Sequence, residues 1–330
     1  MESRGSRSGE APARPLKVRP GARYACAGDG LCCTDVHLLG PVAKAERAPI
    51  EALRPGAIVR GRTLAVLAPG TGGGCTFLAS DRRCEIHTTG IKPRSCARYP
   101  FLLAATPAGG RIGTDHRCPC RTMGERPALT VEAALPSLLD RRGRLSVDRR
   151  VDGRIPLERR RHVSFARYEA IEAERLARLA QEGLPPGDAL AFDVHALARS
   201  LDRVAEAPTR WGAMHAAFAR ALEAIARRGT PAPFARPWAE SFAAAARRAT
   251  SPGDPEAMLA DWAADVIWSL EWTFSTTLEG AERELRWRGD LARVLARAIP
   301  ARADAAMAEA IAIVEVVGLG DEWLDAAAAP

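Results

Sequence analysis

Eight cysteines are concentrated in the first part of this 330-residue chain, and none occurs after position 120. Thiolates are soft ligands that bind zinc and iron–sulfur clusters. Their concentration in a segment rich in glycine and proline predicts a metal site, because core cysteines would be spread along the whole chain. The candidate ligands are Cys26, Cys32, Cys33, Cys75, Cys84, Cys96, Cys118 and Cys120.

Two further interpretations of the cysteines stay open. Disulfides form in oxidising compartments, but the first 24 residues contain no apolar stretch that could act as the core of a secretion signal. A catalytic cysteine would need a base and an orienting group, and the sequence shows no local signature of them. Metal binding is therefore the favoured interpretation, with zinc and an iron–sulfur cluster both open.

Some residues near the cysteines are weaker candidates. Cys32 and Cys33 are adjacent, so we expect their side chains to diverge and only one of them to serve a given centre. His87 follows Cys84 by three residues and is the best placed histidine, although eight thiols leave no need for one. The glycines at 70 and 72–74 resemble a nucleotide-binding loop, but such a loop should open a helix and a predicted hairpin follows instead.

The cysteines also lie in a recognisable order of short motifs. The chain reads Cys-x-x-Asp-Gly-x-Cys-Cys at 26–33, Cys-x-Phe-Leu at 75–78 and Arg-Cys-x-Ile-His at 83–87. It continues with Lys-Pro-x-x-Cys-x-x-Tyr-Pro-Phe at 92–101 and Arg-Cys-Pro at 117–119. Over residues 24–121 this order resembles the YkgJ-type cysteine-cluster family, a zinc- or iron-chelating domain family that includes flagellin lysine N-methylase.

The resemblance implies a ligand set and two functions. The family's usual Cys-x-x-Cys-x-x-Cys-Cys signature has a second cysteine where this chain has Asp29, so either Asp29 is an oxygen ligand or the centre lacks that position. The signature transfers to six cysteines and to Cys118 in the Arg-Cys-Pro ending, whereas Cys120 is included only because it is near. The implied function is metal binding, and the alternative is a protein lysine methyltransferase that uses S-adenosylmethionine.

The predicted elements around the cysteines are short. A helix is expected over residues 42–53, with hairpins over 75–87 (turning at Ser80-Asp81) and 101–118 (turning within residues 107–110). A third hairpin should join residues 145–147 to 155–157 through Asp152-Gly153. With so little apolar core, a metal would hold this unit together.

The rest of the chain is punctuated as a set of about seven helices. Apolar residues follow helical spacing from Phe165 to Leu179 and from Leu259 to Phe274, and the second helix should be the most buried. We expect the glutamates at 271, 279, 282 and 284 to form solvated ion pairs.

The sequence therefore predicts a mainly α protein. Its parts are a disordered leader (1–23), a small irregular cysteine-rich metal-binding domain with short hairpins (24–126), a connector (127–162) and an all-α helical bundle (163–330).

Composition restricts the setting of the protein. The net charge is +7, but the arginines are scattered and only Arg159–Arg161 form a run, so nucleic-acid binding is not favoured. The longest apolar run is shorter than the roughly 18 to 20 residues of a membrane span. We expect a cytoplasmic protein without a membrane segment, acting with a protein partner or on a protein substrate.

Overall fold

The computed structural model describes residues 15–26, 28–61, 63–70, 73–187, 201, 210–249, 251–318 and 323. The cysteine-containing part of the chain and the connector form short elements separated by long loops. In chain order they are β1 (Leu16–Val18), a 3-10 helix (Leu31–Cys33), α1 (Lys44–Leu53), β2 (Ile58–Arg60), β3 (Ala65–Leu67), α2 (Arg94–Arg98), β4 (Phe101–Thr106), β5 (Gly109–Thr114), α3 (Pro119–Thr122), α4 (Val131–Leu138), β6 (Arg149–Arg150), β7 (Arg154–Glu158) and β8 (Arg161–Ser164).

A mixed four-stranded sheet in the order β1-β5-β4-β6 organises this part of the molecule. β4 and β5 form an antiparallel hairpin, while β1 pairs parallel with β5 and β6 pairs parallel with β4. Leu103 and Ile112 face each other across the hairpin and are fully buried. Parallel neighbours need long connections. Here the chain between β1 and β5 runs from residue 18 to residue 109, and the chain between β4 and β6 runs from residue 106 to residue 149.

Six long helices follow in the described part of the chain, and three of them begin with a side-chain cap. They are α5 (Phe165–Glu182), α6 (Arg210–Ala226), α7 (Ala239–Arg248), α8 (Pro255–Ser269), α9 (Leu278–Ala298) and α10 (Ala303–Gly318). The side chains of Ser164, Asp254 and Thr277 accept N–H groups of the first turns of α5, α8 and α9. Every residue of α10 from Asp304 to Val314 is buried, so the other helices pack around it.

The sheet and the helices are in direct contact. Trp268 on α8 donates its indole N–H to the carbonyl of Ile112 on β5 at 3.0 Å. Leu31, Val36 and Met123 from the cysteine-containing part belong to the large apolar core of the helices.

The fold class predicted from the sequence is wrong. The mixed four-stranded sheet replaces the expected pairing of a small irregular cysteine-rich domain with an all-α bundle, and the described structure combines helices and sheet. The reason lies in β1 and β6, which are too short for a local pattern and are stabilised by pairing with the β4–β5 hairpin. β1 lies within the segment expected to be a leader.

Some of the individual elements predicted from the sequence are confirmed and others are wrong. The α1 helix and the β4–β5 hairpin are confirmed. The third hairpin is wrong, because β7 pairs with β8 and Leu145 bridges Leu139 instead. The turn at residues 80–82 exists, but it is flanked by a single bridge between Leu78 and Cys84.

The helix predicted from Leu259 to Phe274 is shorter than expected. α8 ends at Ser269, because Leu270 has a φ of 59°, and a 3-10 helix (Glu271–Phe274) follows. Phe274 is exposed, and α10 rather than α8 is the most buried helix. No helix in the described ranges is long and apolar enough to cross a membrane. His195, and the break between predicted helices at Pro208-Thr209, lie outside the described residues.

Candidate metal centre

Five of the eight predicted ligands come together from separate segments of the chain. Cys32 and Cys33 belong to the 3-10 helix, Cys75 and Cys84 precede and follow the turn at 80–82, and Cys96 lies on α2. All of these except Cys32 pack against one small apolar cluster. Its buried members include Leu39, Val42, Ile50, Leu67, Phe77 and Ile86.

The backbone around Gly30 explains why the first two cysteines reach the turn at 80–82. Gly30 has a φ of 75°, and a Cβ at this position would lie 2.5 Å from the carbonyl oxygen of Arg82. Arg82 in turn donates its Nε–H to the carbonyl of Asp29 at 2.7 Å, and Cys75 donates its N–H to the carbonyl of Cys33 at 2.6 Å. Only glycine fits such a close approach of two backbones.

The thiols of the group contact one another. Cys33 forms side-chain hydrogen bonds with Cys32 and with Cys84, and these bonds, in that order, are the main reasons why the pKa of Cys33 is raised. The bond with Cys33 is also the main reason why the pKa of Cys84 is lowered, although burial opposes it. Burial raises the pKa of Cys75 and raises that of Cys96 to about 12. Cys84 is therefore the one of these four thiols, Cys33, Cys75, Cys84 and Cys96, whose pKa is lowered, and the thiolate is the form that binds metal.

Cys33 packs against the apolar cluster and Cys32 is exposed, and the expectation that only one of them serves a given centre stays a prediction. Their side chains are hydrogen-bonded to each other. The 3-10 helix curls tightly here, because Cys33 donates its N–H to the Gly30 carbonyl at 3.0 Å and Thr34 donates to Leu31 at 3.0 Å. Both sulfur atoms therefore belong to the same group of thiols.

The donor set fits a thiophilic metal in type and neighbourhood. The seven cysteines whose side chains the structure describes form no disulfide bonds with one another. Thiolates are the ligands that zinc and iron–sulfur clusters use. Within the described residues, however, no three or more His, Cys, Asp or Glu side chains stand in an arrangement that would already hold a metal ion. The five thiols would have to close further around one.

The other three predicted cysteine ligands lie elsewhere. Cys26 is exposed, and its sulfur accepts the N–H of Gly28 at 3.4 Å. Cys118 is buried. The pKa of Tyr99 is raised mainly by burial and further by the negative charges of Asp115 and Cys118. Cys120 belongs to α3, and its side chain lies outside the described residues.

Asp29 and His87, the two open ligand candidates, have other roles here. The carboxylate of Asp29 accepts the N–H of Leu31 at 2.8 Å, which caps the 3-10 helix. His87 is exposed, and its Nδ1 lies 3.2 Å from Nζ of Lys92. The glycines at 70, 73 and 74 lead into a bridge between Pro69 and Cys75 instead of a helix.

A second polar spot involves His37, which the sequence gave no reason to prefer. His37 is buried against Tyr99, with 4.4 Å between the ring centroids. Both ring nitrogens of His37 and the hydroxyl of Tyr99 are buried without a hydrogen-bond partner among the described residues. Burial lowers the pKa of His37 to about 3, although Asp115 opposes this. Unpartnered buried polar atoms are rare and costly, so a water molecule or another polar group would stabilise this spot.

A buried network of charges, missed from the sequence, lies between the sheet and α8. Asp265 is bonded by Arg19, by Arg121 at 3.0 Å and by His116 Nε2 at 2.9 Å. Asp261 binds the same two arginines. Burial raises the pKa of Asp265, but Arg121 and Arg19 outweigh this effect and hold it well below its usual value. We refer to these five residues as the ion network.

One sequence signal could have found the ion network. Asp261 and Asp265 are spaced i, i+4 around Trp262 in a helix whose other residues are mostly apolar. Acidic residues within an apolar helix indicate buried partners. Similarly, Glu284 was expected to be solvated but is buried, where it accepts N–H groups of Arg288 at 2.9 Å and Trp323 at 2.5 Å. Glu271, by contrast, is exposed and pairs with Arg149.

Comparison with known proteins adds no relative. No family model, no curated protein and no solved structure matches the chain.

Proposed function

We propose that the protein binds a metal, as zinc or as an iron–sulfur cluster, through Cys32, Cys33, Cys75, Cys84 and Cys96. The observation that supports this function is the convergence of five free thiols from four chain segments, four of them packed against one small apolar cluster and the fifth, Cys32, beside Cys33. Chance packing of small core residues would not select cysteine at each of these positions. A metal would tie the segments together where the apolar core is small.

The thiols differ in how ready they are to bind. Cys84, whose pKa is lowered by the hydrogen bond from Cys33, is the first thiolate available to a cation. Cys32 and Cys33 contact each other, so they and Cys84 form the nearest set of three donors. Cys75 and Cys96 are more buried and supply the further donors that a tetrahedral site or a cluster needs.

The wider sequence-based expectations belong to the same proposal. Membership of the YkgJ-type family, a cytoplasmic location and a protein partner or substrate accord with reduced thiols that bind metal. Methyl transfer from S-adenosylmethionine to a protein lysine rests on the resemblance alone. Calorimetric titration of the metal-loaded protein with S-adenosylmethionine tests it separately, and no heat of binding would exclude it.

Elemental analysis of protein purified without oxygen, together with its absorption spectrum, tests metal binding. We expect stoichiometric zinc without colour, or iron with sulfide and a broad absorbance near about 400 nm. Cys84→Ser should lose most of the metal, because it removes the thiolate that binds first. Cys26→Ser is the matched control, since it removes an exposed cysteine outside the group, and it should keep the metal content of the unaltered protein.

Thiol counting gives a second readout. The reactivity of the five thiols toward a thiol reagent should increase when a chelator removes the metal, whereas that of Cys26 should not change. A protein that contains no stoichiometric metal, and whose thiols react equally with and without chelator, would exclude the proposal. Equal loss of metal in both serine variants would exclude the five-cysteine ligand set.

A further inference from the structure

A cavity of about 490 Å³ lies where the sheet meets the helices, away from the five thiols. It is bounded by the segment after β5 and by parts of α8, α9 and α10, with the 3-10 helix Glu271–Phe274 along one side. Gly280 and Gly318 line it without side chains, and the end of α8 at Leu270 keeps that helix from filling it. Cavities of this size hold small organic molecules.

Most of the charged residues that line the cavity form ion pairs. Asp115 pairs with Arg117, and Glu271 pairs with Arg149 at 2.9 Å. Asp265 and Asp261 are neutralised by Arg19 and Arg121 in the ion network. Glu284 pairs with Arg288.

Glu315 is the lining carboxylate that has no guanidinium group of its own among the described residues, because it shares Arg288 with Glu284. It accepts the indole N–H of Trp262, which is uncharged, and it lies 3.8 Å from an Arg288 that Glu284 already holds. The described wall therefore carries one negative charge more than its guanidinium groups neutralise. In a partly buried cavity such a charge attracts a cation strongly.

The helix ends give the same sign. α8 ends at the cavity, with Ser269 in its wall, and helix C-termini carry partial negative charge. α9 begins there, and Thr277 accepts the N–H of Gly280 in its first turn, which reduces the partial positive charge at that end. The C-terminus of α8 therefore adds to the negative charge of the wall.

His116 adds a second polar feature to the wall of the cavity. His116 lines the cavity and is 3% exposed, and its Nε2 is held by Asp265. Its other nitrogen, Nδ1, is buried and has no hydrogen-bond partner in the described part of the chain. A buried polar atom of this kind needs a partner.

We propose that this cavity binds a small organic molecule with one positive charge and an apolar group, its cationic end at Glu315. Trp272, Val266 and Ala281 line the cavity and offer apolar surface for the rest of the ligand. An ammonium group at Glu315 would neutralise the remaining wall charge. The site is independent of the proposed metal centre, because none of the described residues that line it is a cysteine.

Isothermal titration calorimetry of the full chain with two probes tests the proposal. The probes are 2-phenylethylamine, which is a cation at neutral pH, and 2-phenylethanol, which has nearly the same size and no charge. We expect the amine to bind about tenfold or more tightly, since a hydrogen bond to a charged group contributes at least about a factor of ten. Glu315→Gln should reduce the preference to less than about threefold.

Glu174→Gln is the matched control, because Glu174 lies on the exposed face of α5 in a surface pair with Arg178. It should leave the preference for the amine unchanged. Equal binding of both probes, binding of neither, or an amine preference that survives in Glu315→Gln would each overturn the proposal. Far-UV circular dichroism of both variants, unchanged from the parent protein, excludes misfolding as the cause of lost binding.

Discussion

The ion network and the five-thiol group both join distant chain segments, but they are built in opposite ways. The network sets two buried guanidinium groups, Arg19 and Arg121, against the carboxylates of Asp261 and Asp265. The thiol group contains neutral or weakly acidic side chains that share hydrogen bonds among Cys32, Cys33 and Cys84. The first depends on fixed charge, whereas the second depends on soft donors in apolar surroundings.

The two regions differ in how fully their polar groups are bonded to other groups of the chain. The carboxylates of the ion network are bonded within the chain, and Asp265 also accepts from Thr114 and His116. Such a network aligns the segment before the first cysteines, the end of β5 and α8. The thiols have only weak bonds to one another. A structural role is therefore sufficient for the network, whereas we propose a metal as the ligand of the thiols.

The largest effect should come from breaking the ion network. Asp265→Asn keeps the shape of the side chain but leaves Arg19 and Arg121 buried with half of their negative charge. We expect the free energy of unfolding to fall by about 3 to 5 kcal/mol, which is typical when one partner of a buried ion pair is removed. Urea unfolding followed by tryptophan fluorescence measures the loss.

Two comparisons make this result specific. Glu174→Gln, which breaks an exposed ion pair, should change the unfolding free energy by less than about 0.5 kcal/mol. The loss in Asp265→Asn should also be the same before and after treatment with a chelator, since the network contains no thiol. A loss below about 1 kcal/mol would show that the network does not hold the sheet and the helices together.

The sequence could predict the thiol group because cysteine is rare and its position is informative. All five members are among the predicted ligands, and the β4–β5 hairpin near them follows from the alternation and turn residues between Phe101 and Thr114. Helices α1 and α5 are equally local, since their apolar spacing and caps lie within the segments themselves. Such features depend on residues close in sequence.

The ion network and the sheet depend on residues far apart, and this is why they were not predicted. Arg19 and Asp265 are separated by 246 positions, and arginine is so common in this chain that one more attracts no attention. β1 and β6 contain three and two residues, so their strand character comes from pairing with β5 and β4. Which buried charges meet is a property of tertiary packing.

An intermediate effect should appear as pH falls, and it separates the two regions. The pKa of His37 is lowered to about 3 in the folded state, so the unfolded chain takes up a proton near pH 6.5 that the folded chain does not. Stability is therefore complete above about pH 6.5 and falls as the pH is lowered, by about 2 kcal/mol between pH 7 and pH 5. Asp265, whose pKa is depressed, contributes constantly there and loses its effect only below about pH 4.

Urea unfolding of the parent protein and of His37→Phe at pH 7, 6 and 5 measures this difference. The phenyl ring retains the contact with Tyr99 but does not titrate, so the variant should lack about 2 kcal/mol of the pH dependence. Both proteins are compared at the same metal content. If the two pH profiles were parallel, His37 would not be neutral and buried in solution. The pH dependence of unfolding would then no longer distinguish the thiol region from the ion network.

The smallest expected loss of unfolding free energy comes from removing a helix cap, and it serves as a reference for the losses in both regions. Ser164 caps α5 by accepting the N–H of Arg167 at 3.3 Å, and it belongs to neither the ion network nor the thiol group. Ser164→Ala should lower the free energy of unfolding by about 1 kcal/mol, the usual cost of losing an N-cap. Because no buried charge or titrating group is involved, urea unfolding should give the same loss at pH 7 and pH 5, with and without chelator. A loss as large as that of Asp265→Asn would show that α5 is as critical as the ion network, and the contrast between buried charge and ordinary helix capping would then fail.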